Sequence, residues 1–406
     1  EISIRLVGSE MCIRDRQLKG SGITPYSRFA DGKAVLRSSI REFLCSEAMF
    51  HLGVPTTRAL SLVTTGEPVV RDIMYDGNPK PEPGAIVCRV AESFLRFGSF
   101  EIHSAMGDYE TLKRLVDFTI SNHFEGHDPS SDEGLVRWLN RVAETTAAMI
   151  AHWERVGFVH GVMNTDNMSI HGITIDYGPF GWVEDYDPNW TPNTTDSNTR
   201  RYTFGNQRLV GEWNFARLLE AVSPLFEDPS NLYRSLEHYR TSFKSHTEAM
   251  WVSKLGLRQS APGDDELVAQ LVSLLRVVET DMTIFFRSLG TIDGLNPLDM
   301  AHAYYDEAAL PVDELGLWLG KWWSRVDGDP DREAMNNANP KYVLRNWMSQ
   351  LAIEAAEADD YSVAIELQDL LRAPYEEQPS SQDRWYKKRP EWARHKVGCS
   401  MLSCSS

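Results

Sequence analysis

Two aspartates and an asparagine stand close together in the stretch HGVMNTDNMSIHGITIDYG, residues 160–178. Asp166 and Asn167 precede a short apolar run at 168–170, and Asp176 follows a second one. Carboxylate and amide oxygens form a hard ligand set, which suits Mg²⁺ or Mn²⁺ better than zinc. Mg²⁺ keeps several waters and needs only one or two protein oxygens when substrate phosphates complete its shell. The stretch therefore predicts a metal site of the kind that holds phosphates.

The two apolar runs of this stretch, MSI and ITI, predict the element that must bring these side chains together. They are joined by His171 and Gly172, a pair suited to a tight turn, so we expect a β-hairpin. Folding the hairpin places Asp166 and Asn167 near Asp176.

Two other interpretations of the stretch stay open. One is a polar hairpin with a structural role only. The other is a zinc site through His160 and His171, which lacks the i, i+4 helical spacing of such ligands and any nearby cysteine. The residue order favours the phosphate–metal site, because His160-Gly161, Asn167 and then Asp176 followed by Tyr-Gly run as the corresponding residues do in protein kinases.

A departure in the same stretch identifies the candidate catalytic base. In related small-molecule phosphotransferases an aspartate directly follows His-Gly, whereas Val162 takes that place here. Asp166 is the acidic side chain that this loop still offers, so the general base is Asp166 or is absent.

A lysine and a glutamate predict the other half of a phosphate site. Lys19 follows an apolar residue and precedes Gly-Ser-Gly, so it could close a strand that faces phosphates; an exposed lysine is the ordinary alternative. A helix predicted over Ser38–Leu52 carries Glu42, the expected partner of Lys19, with Glu47 as the second choice. Such a partner is needed because an unpaired buried charge is costly.

Two arginines, Arg89 and Arg96, are further candidates for phosphate contacts, since guanidinium groups bind phosphate oxygens in a bidentate manner. Their spacing leaves the geometry open. On a helix the two would share a face, whereas in an extended run they would point to opposite sides unless a turn intervenes. Two ordinary surface arginines are the alternative.

The elements around these residues predict an α+β fold of the protein-kinase-like, two-lobed kind. Residues 17–105 contain short β-like runs at 59–65, 67–75 and 84–91, interrupted by one helix, and predict a small β-rich N-lobe. Residues 106–406 show apolar periodicity close to 3.6 and predict a large, mainly helical C-lobe that holds the 160–178 motif and ends in a tail.

Composition excludes several classes of protein. The 406 residues carry a formal net charge of −17, which argues against a general binder of nucleic acid or of anionic membranes. No apolar run is long enough to span a membrane, no signal-peptide pattern is present, and five dispersed cysteines do not suggest a secreted disulfide framework. We expect a monomeric protein of the bacterial cytoplasm, or a mitochondrial one if a targeting segment has been lost.

The first residues differ from the rest of the chain. The segment 1–16, EISIRLVGSEMCIRDR, resembles a translated sequencing adaptor, so we expect it to be non-native and the chain to be truncated at its N-terminus.

A resemblance to a known family rests on QLKGSGITPYSRFADGKAVLRSSIREFLCSEAMFHLGVPTTRALSLV, RDIMYDGNPK, HGVMNTDNMSIHGITIDYGPFGW, NPKYVLRNWMSQLAIEAAE and the terminal CSS. Over residues 17–406 the chain resembles the selenoprotein O family of kinase-like protein adenylyltransferases. The resemblance implies transfer of AMP from ATP, with Mg²⁺ or Mn²⁺, to Ser, Thr or Tyr hydroxyls of protein substrates. A kinase-type phosphotransferase and a non-catalytic, nucleotide-binding redox scaffold are the alternatives.

The resemblance also implies roles for single residues. Asp166 matches the proton acceptor, and Asn167 and Asp176 match the metal ligands. The family binds ATP in a flipped orientation, so that arginines hold the outer phosphates as the leaving pyrophosphate. The matches to the family's nucleotide site, with its Lys–Glu ion pair first, are Lys19, Glu42, Asp31, Gly32, Arg89, Arg96 and Asp176.

Two departures from the family pattern affect what we expect. The glycine-rich nucleotide loop that should precede Lys19 is missing, with residues 1–16 in its place, so activity of this chain is expected to be impaired. Many members pair a C-terminal redox residue with a loop cysteine, but Pro192 stands at that loop position. Oxidation should therefore not join Cys404 to the loop, whereas a Cys399–Cys404 bridge is open to this tail.

Overall fold

The chain folds into a β-rich N-terminal region followed by a much larger helical region. The computed structural model describes residues 14–25, 27, 30–73, 77–399 and 401–403. The strands are β1 (Asp15–Lys19), β2 (Ala34–Val35), β3 (Arg58–Arg71), β4 (Lys80–Ala91), β5 (Phe158–Val159) and β6 (Gly181–Trp182). The helices are α1 (Leu36–His51), α2 (Phe97–Ala105), α3 (Tyr109–His123), α4 (Asp132–Val156), α5 (Gln207–Val222), α6 (Leu232–Leu255), α7 (Asp264–Leu274), α8 (Met282–Leu289), α9 (Val312–Arg325), α10 (Arg332–Ala338), α11 (Asn346–Glu357), α12 (Ser362–Leu371) and α13 (Pro379–Trp385). The predicted α+β class is confirmed.

Strand β4 organises the N-terminal sheet, because β1, β2 and β3 all pair with it in antiparallel fashion. Val90 pairs with Arg16 of β1 and with Arg58 of β3, so these two strands lie along opposite edges of β4. Gln17 stands directly opposite Arg89. Since side chains alternate along a strand, Gln17, Lys19 and Arg89 share one face of the sheet. The pairing thus gathers two cations on one surface.

Two predictions for the N-terminal region need correction. The β-like runs at 59–65 and 67–75 belong to one strand, β3, whose register with β4 shifts between Thr64 and Pro68. The Thr65 hydroxyl bonds locally to Glu67, so the irregularity is a bulge and not a chain reversal. Helix α2 also escapes prediction, because its sequence FGSFEIHSA is apolar on several sides and contains a glycine.

The predicted hairpin at 168–175 is reduced to a single bridge between Met168 and Thr174, closed by a turn at Gly172. Apart from this bridge, its two arms bond to N-terminal segments. Met168 O accepts from the Phe97 amide at 2.9 Å, and the Thr174 amide donates to Pro55 O at 2.8 Å. These bonds attach the 160–178 stretch to the β-rich region.

The helical region is built on two apolar cores. Helix α4 brings Trp138 and Trp153, both fully buried, to the first core. Helix α9 brings Trp318 and Trp322 to the second core. The β5–β6 pair joins the two, since Phe158 and Trp182 enter the first core, whereas Val159 and Val183, the residue after β6, enter the second. None of the helices in the described part of the chain is long and apolar enough to cross a membrane.

Candidate active site

Lys19 and Glu42 form the first contact of the candidate site. The Lys19 ammonium contacts the Glu42 carboxylate, whose side chain is almost completely buried. The second predicted partner, Glu47, is engaged elsewhere: it accepts from Arg58 at 2.7 Å and from the Ala59 amide at 3.0 Å. Helix α1 therefore presents one acidic residue to Lys19 and the other to β3.

Arg89 lies at the centre of the site, buried between two carboxylates. Its Nη1 is 3.0 Å from Glu42 Oε1 and 2.5 Å from Asp176 Oδ1, and its Nη2 contacts Gln17. Burial alone would lower the pKa of Arg89, but the charges of Asp176 and Glu42 raise it above its ordinary value. The Arg89 Nε is buried without a hydrogen-bond partner among the described residues. Arg89 is therefore a fixed cation whose neighbours use only part of its five N–H donors.

Arg96 reaches the same aspartate from another element. Strand β4 ends at Ala91, and the chain turns before Arg96 caps helix α2. Because the chain turns between them, the side chains of Arg89 and Arg96 can both reach Asp176. Arg96 Nη1 donates to Asp166 O at 2.7 Å and lies 2.8 Å from Asp176 Oδ2.

Asp176 is both strained and incompletely bonded. Its φ of 59° lies in the left-handed region, which few non-glycine residues adopt. Burial would raise its pKa, but Arg89, Arg96 and Lys19 lower it well below the ordinary range, so the group is a carboxylate. The Oδ2 atom is close to Arg96 in charge contact but receives no directed hydrogen bond from the described residues. An anionic oxygen with free bonding capacity is a good metal ligand.

Asn167 is oriented so that its amide oxygen is available. It ends the short 3-10 turn Thr165–Asn167, and its Nδ2 donates to Val162 O at 2.8 Å. This bond turns the amide oxygen to the other side of the group. Together with the spare oxygen of Asp176 it supplies two hard donors, and this donor set fits Mg²⁺ or Mn²⁺.

The Asp166 carboxylate is half-buried against helix α2, at a glycine that the sequence analysis missed. A Cβ atom added to Gly98 would lie 2.2 Å from Asp166 Oδ1, so only glycine permits this approach. Gly98 belongs to the first turn of α2, where backbone amides and the helix dipole favour a carboxylate. The isolated glycine in FGSF was the available signal, but without a predicted helix it had no meaning.

Asp31 and Gly32 close the loop that follows Lys19. Gly32 has a φ of +66°, and a Cβ there would lie 2.0 Å from Gly22 O, so both glycines allow the two loop arms to meet. The Asp31 carboxylate accepts from Arg71 at 2.7 Å, a partner that the sequence analysis did not identify. This bond is the main reason why the pKa of Asp31 is lowered.

The two histidines of the catalytic stretch have different surroundings. His160 is buried; its Nε2 donates to Ile175 O at 2.9 Å, and its Nδ1 accepts from the Val162 amide at 3.4 Å. Both ring nitrogens of His160 are therefore used in positioning the loop. A zinc site formed by His160 with His171 is not supported.

The C-terminal tail passes beside the loop that follows Asp176. Leu402 pairs with Asn193, and the Thr194 amide donates to Leu402 O at 2.7 Å. Burial raises the pKa of the Cys399 thiol to about 12, so it is protonated at neutral pH. Cys404 lies outside the described residues, and the disulfide expectations for it stay predictions.

Residues 4–372 match the family model described as Protein adenylyltransferase SelO. The chain belongs to this family. The matched range begins within residues 1–16, whose assignment stays a prediction.

Curated relatives agree with the family assignment. The chain is 53% identical over 404 residues to the protein nucleotidyltransferase YdiU of Flavobacterium johnsoniae, covering 96% of this chain and 77% of the relative. It is 54% identical to the protein of that name from Azoarcus sp., with the same coverage, and 53% identical to that of Xanthomonas axonopodis pv. citri, covering 98% and 79%. The predicted enzyme class, a nucleotidyltransferase of the adenylyltransferase family, is confirmed.

Proposed function

We propose that this chain transfers AMP from ATP to serine, threonine or tyrosine hydroxyls of protein substrates, with Mg²⁺ or Mn²⁺ as cofactor. The observation that carries the proposal is the convergence of Arg89 and Arg96, from two elements, on the strained Asp176. Three charges held together in this way, with a spare donor on Arg89 and a spare acceptor on Asp176, suit a ligand that is both anionic and metal-bound.

The arginines define which phosphates the site holds. With Lys19 they form a cluster of three cationic side chains around Glu42 and Asp176, in which Arg89 and Lys19 share the acidic partner Glu42. Positive charge lowers a reaction barrier most where negative charge develops. In AMP transfer that charge develops on the departing pyrophosphate. We therefore assign the β- and γ-phosphates to Arg89, Arg96 and Lys19.

The loop closed by Gly32 completes the nucleotide site in this proposal. Glycine at 22 and at 32 lets backbone approach backbone closely, and the Gly22 amide donates to Gly32 O at 3.0 Å, which fixes the loop beside Lys19. Asp31, fixed by Arg71, holds the loop in this form. Asn167 and Asp176 would hold the metal ion, which when bound neutralises phosphate charge and orients the α-phosphate.

Asp166 is assigned as the general base. The substrate hydroxyl oxygen attacks the α-phosphorus, the bond to the bridging oxygen breaks, and pyrophosphate leaves with the electron pair. The hydroxyl proton passes to the Asp166 carboxylate. Arg96 positions this residue, since it binds the Asp166 carbonyl and the Asp176 carboxylate at once.

As part of the same proposal the enzyme acts as a monomer in the bacterial cytoplasm. The curated relatives are bacterial.

The transferred group can be tested with two batches of ATP, radiolabelled at the α- or at the γ-phosphate. Label should reach protein from the α position only, and Arg96→Ala should suppress it. Arg58→Ala, which removes an arginine bound to the other glutamate of helix α1, is the matched control and should leave transfer intact. Transfer from the γ position would replace the proposal by a kinase.

A further inference from the structure

A second cluster of possible metal ligands lies outside the active site. Glu92 follows strand β4, His123 is the last residue of α3, and His171 lies in the turn of the catalytic stretch. His123 Nδ1 is 3.3 Å from Glu92 Oε1, and His171 Nδ1 is 3.8 Å from the same oxygen. One ligand atom from each of the three residues lies within 4.8 Å of the other two.

These separations are close to those of a bound ion. Four ligands at zinc–nitrogen and zinc–oxygen distances of about 2.0–2.1 Å lie roughly 3.3 Å apart in a tetrahedron. The His123–Glu92 pair already has this spacing. The Glu92 side chain is 51% exposed and can move, whereas the His123 and His171 side chains are 14% and 6% exposed. The exposed carboxylate therefore has the most room to adjust, and the His171–Glu92 separation of 3.8 Å must shorten toward this spacing when an ion binds.

The His171 ring is held in the orientation that a metal ligand needs. Its Nε2 is 2.6 Å from Ser93 Oγ, and its face stacks on Phe124 with a centroid distance of 5.7 Å and an interplanar angle of 3°. When Nε2–H donates to Ser93, the lone pair of Nδ1 faces Glu92. Metal-binding histidines are oriented in this way by a partner on the second ring nitrogen. Burial lowers the pKa of His171, which favours the neutral, ligating form.

There is room for a fourth ligand. Glu92, His123 and His171 line a cavity of about 240 Å³, large enough for several waters. The charged neighbours are Arg14 and Arg141 on the cavity wall, and Asp15, whose charge acts on His171. Arg141 is paired with Glu144 at 3.0 Å, so its charge is partly offset.

We propose that Glu92, His123 and His171 bind one zinc-type divalent transition-metal ion, with water as the fourth ligand. Two imidazoles and one carboxylate suit zinc, whereas the oxygen donors of Asn167 and Asp176 suit Mg²⁺ or Mn²⁺. The ion joins the end of β4, the end of α3 and the catalytic stretch. It thereby fixes the strand that carries Arg89 relative to the segment that carries Asp176.

The test is a Co²⁺ titration of the full chain after metal stripping, without nucleotide and without Mg²⁺. We expect one equivalent of Co²⁺ to give the strong visible absorption of a four-coordinate site, and Zn²⁺ to displace it and raise the melting temperature. Co²⁺ bound to the oxygen ligands of the active site gives only weak absorption, so the two sites are distinguishable.

Variants locate the ion. His123→Ala and His171→Ala should each abolish the strong absorption, and Ser93→Ala should weaken affinity roughly 10–100-fold. His103→Ala, at the end of α2 and outside the cluster, is the matched control, and Asn167→Ala should also retain the signal. If His171→Ala does not fold, His123→Ala at the helix terminus decides alone.

Two results would overturn the proposal. One is the absence of strong Co²⁺ absorption in the stripped, folded chain. The other is a signal that persists in His123→Ala and disappears in Asn167→Ala, which would place the ion in the active site.

Discussion

Two buried arginine–aspartate clusters in this protein differ in how completely they are bonded. In the helical region Arg345 donates to both carboxylate oxygens of Asp281, at 2.7 and 2.9 Å, and also donates to Glu184 at 3.2 Å. Asp281 in addition accepts from the Ile284 amide at 3.0 Å and so caps helix α8. Both carboxylate oxygens of Asp281 are therefore used within the fold.

The active-site cluster has the same residue types but spare capacity. Asp176 faces two arginines, yet its Oδ2 receives no directed hydrogen bond from the residues that the structure describes, its φ is 59°, and its side chain is 16% exposed. Asp281 is fully buried. A saturated cluster can contribute stability, whereas a strained and unsaturated one keeps atoms available for a ligand. From this difference we expect the Asp281 cluster to be structural and the Asp176 cluster to bind a ligand.

The largest expected effect is on catalysis, from Asp176→Asn. Loss of a metal-binding charge at the phosphates should lower AMP transfer by about 10³–10⁴-fold, since metal ions supply several kcal/mol to such reactions. Asparagine tolerates the left-handed backbone better than aspartate does, so thermal unfolding should change less than in Asp281→Asn. Transfer assays and melting curves on the same preparation measure both. If the variant transfers AMP at the normal rate, the Asp176 cluster has no role in catalysis.

The opposite pattern is expected for Asp281→Asn. Asparagine can still cap helix α8, so the change isolates the charge that Arg345 loses. Breaking a buried pair of this kind costs about 3–5 kcal/mol of unfolding free energy. Denaturant titration should show that loss, while the rate of AMP transfer by the folded protein stays near that of the parent. If the free energy of unfolding is unchanged, a fully hydrogen-bonded cluster such as that of Asp281 does not by itself indicate a stabilising role.

A smaller effect, on rate alone, is expected from Gly98→Ala. The added Cβ must displace the Asp166 carboxylate, because it would lie 2.2 Å from Oδ1. A misplacement of about 1 Å at a catalytic group can cost roughly 10²-fold in rate. Alanine should not weaken helix α2 and can stabilise it. Gly320→Ala, where an added Cβ meets no atom within 4 Å, is the control and should leave the rate unchanged.

The smallest effect is expected at Glu47, which is bonded to Arg58 near the surface. Arg58 is 40% exposed, and pairs of this kind contribute less than about 1 kcal/mol. Glu47→Gln should therefore alter neither transfer nor stability by much. Glu42→Gln, on the same helix, should lower transfer because Lys19 and Arg89 both depend on it. Equal activities for the two variants would show that the Lys19 contact has no functional role.

The parts of this fold that could be predicted are those whose signal is local. Helix α1 was placed within two residues at its N-terminal end and one at its C-terminal end, because apolar periodicity and Gly53 mark it. The hairpin predicted at 168–175 is present only as one bridge, because Met168 and Thr174 also take backbone partners from distant segments. A β-like run predicts that a strand forms, but it does not predict which strand it pairs with.

In the candidate site, too, contacts with a local sequence signal could be predicted and contacts made by long-range packing could not. The Lys19–Glu42 contact was predictable from residue order, whereas spacing left the relation of Arg89 to Arg96 open until the turn after β4 was seen. Gly98 was missed because a close approach between a helix and a carboxylate leaves no periodic signal. Long-range packing determined these contacts.

The measurement that tests the central claim most directly is calorimetric titration of nucleotide, with and without Mg²⁺, into Asp166→Ala and Asp176→Ala. Asp176, whose carboxylate is incompletely bonded, should bind the metal ion, and Asp166 should act as the general base. We predict that Asp176→Ala loses metal-dependent affinity, while Asp166→Ala binds with a Kd near that of the parent and transfers AMP on the order of 10²–10⁴ times more slowly. Loss of nucleotide affinity in Asp166→Ala, with affinity retained in Asp176→Ala, would contradict the account.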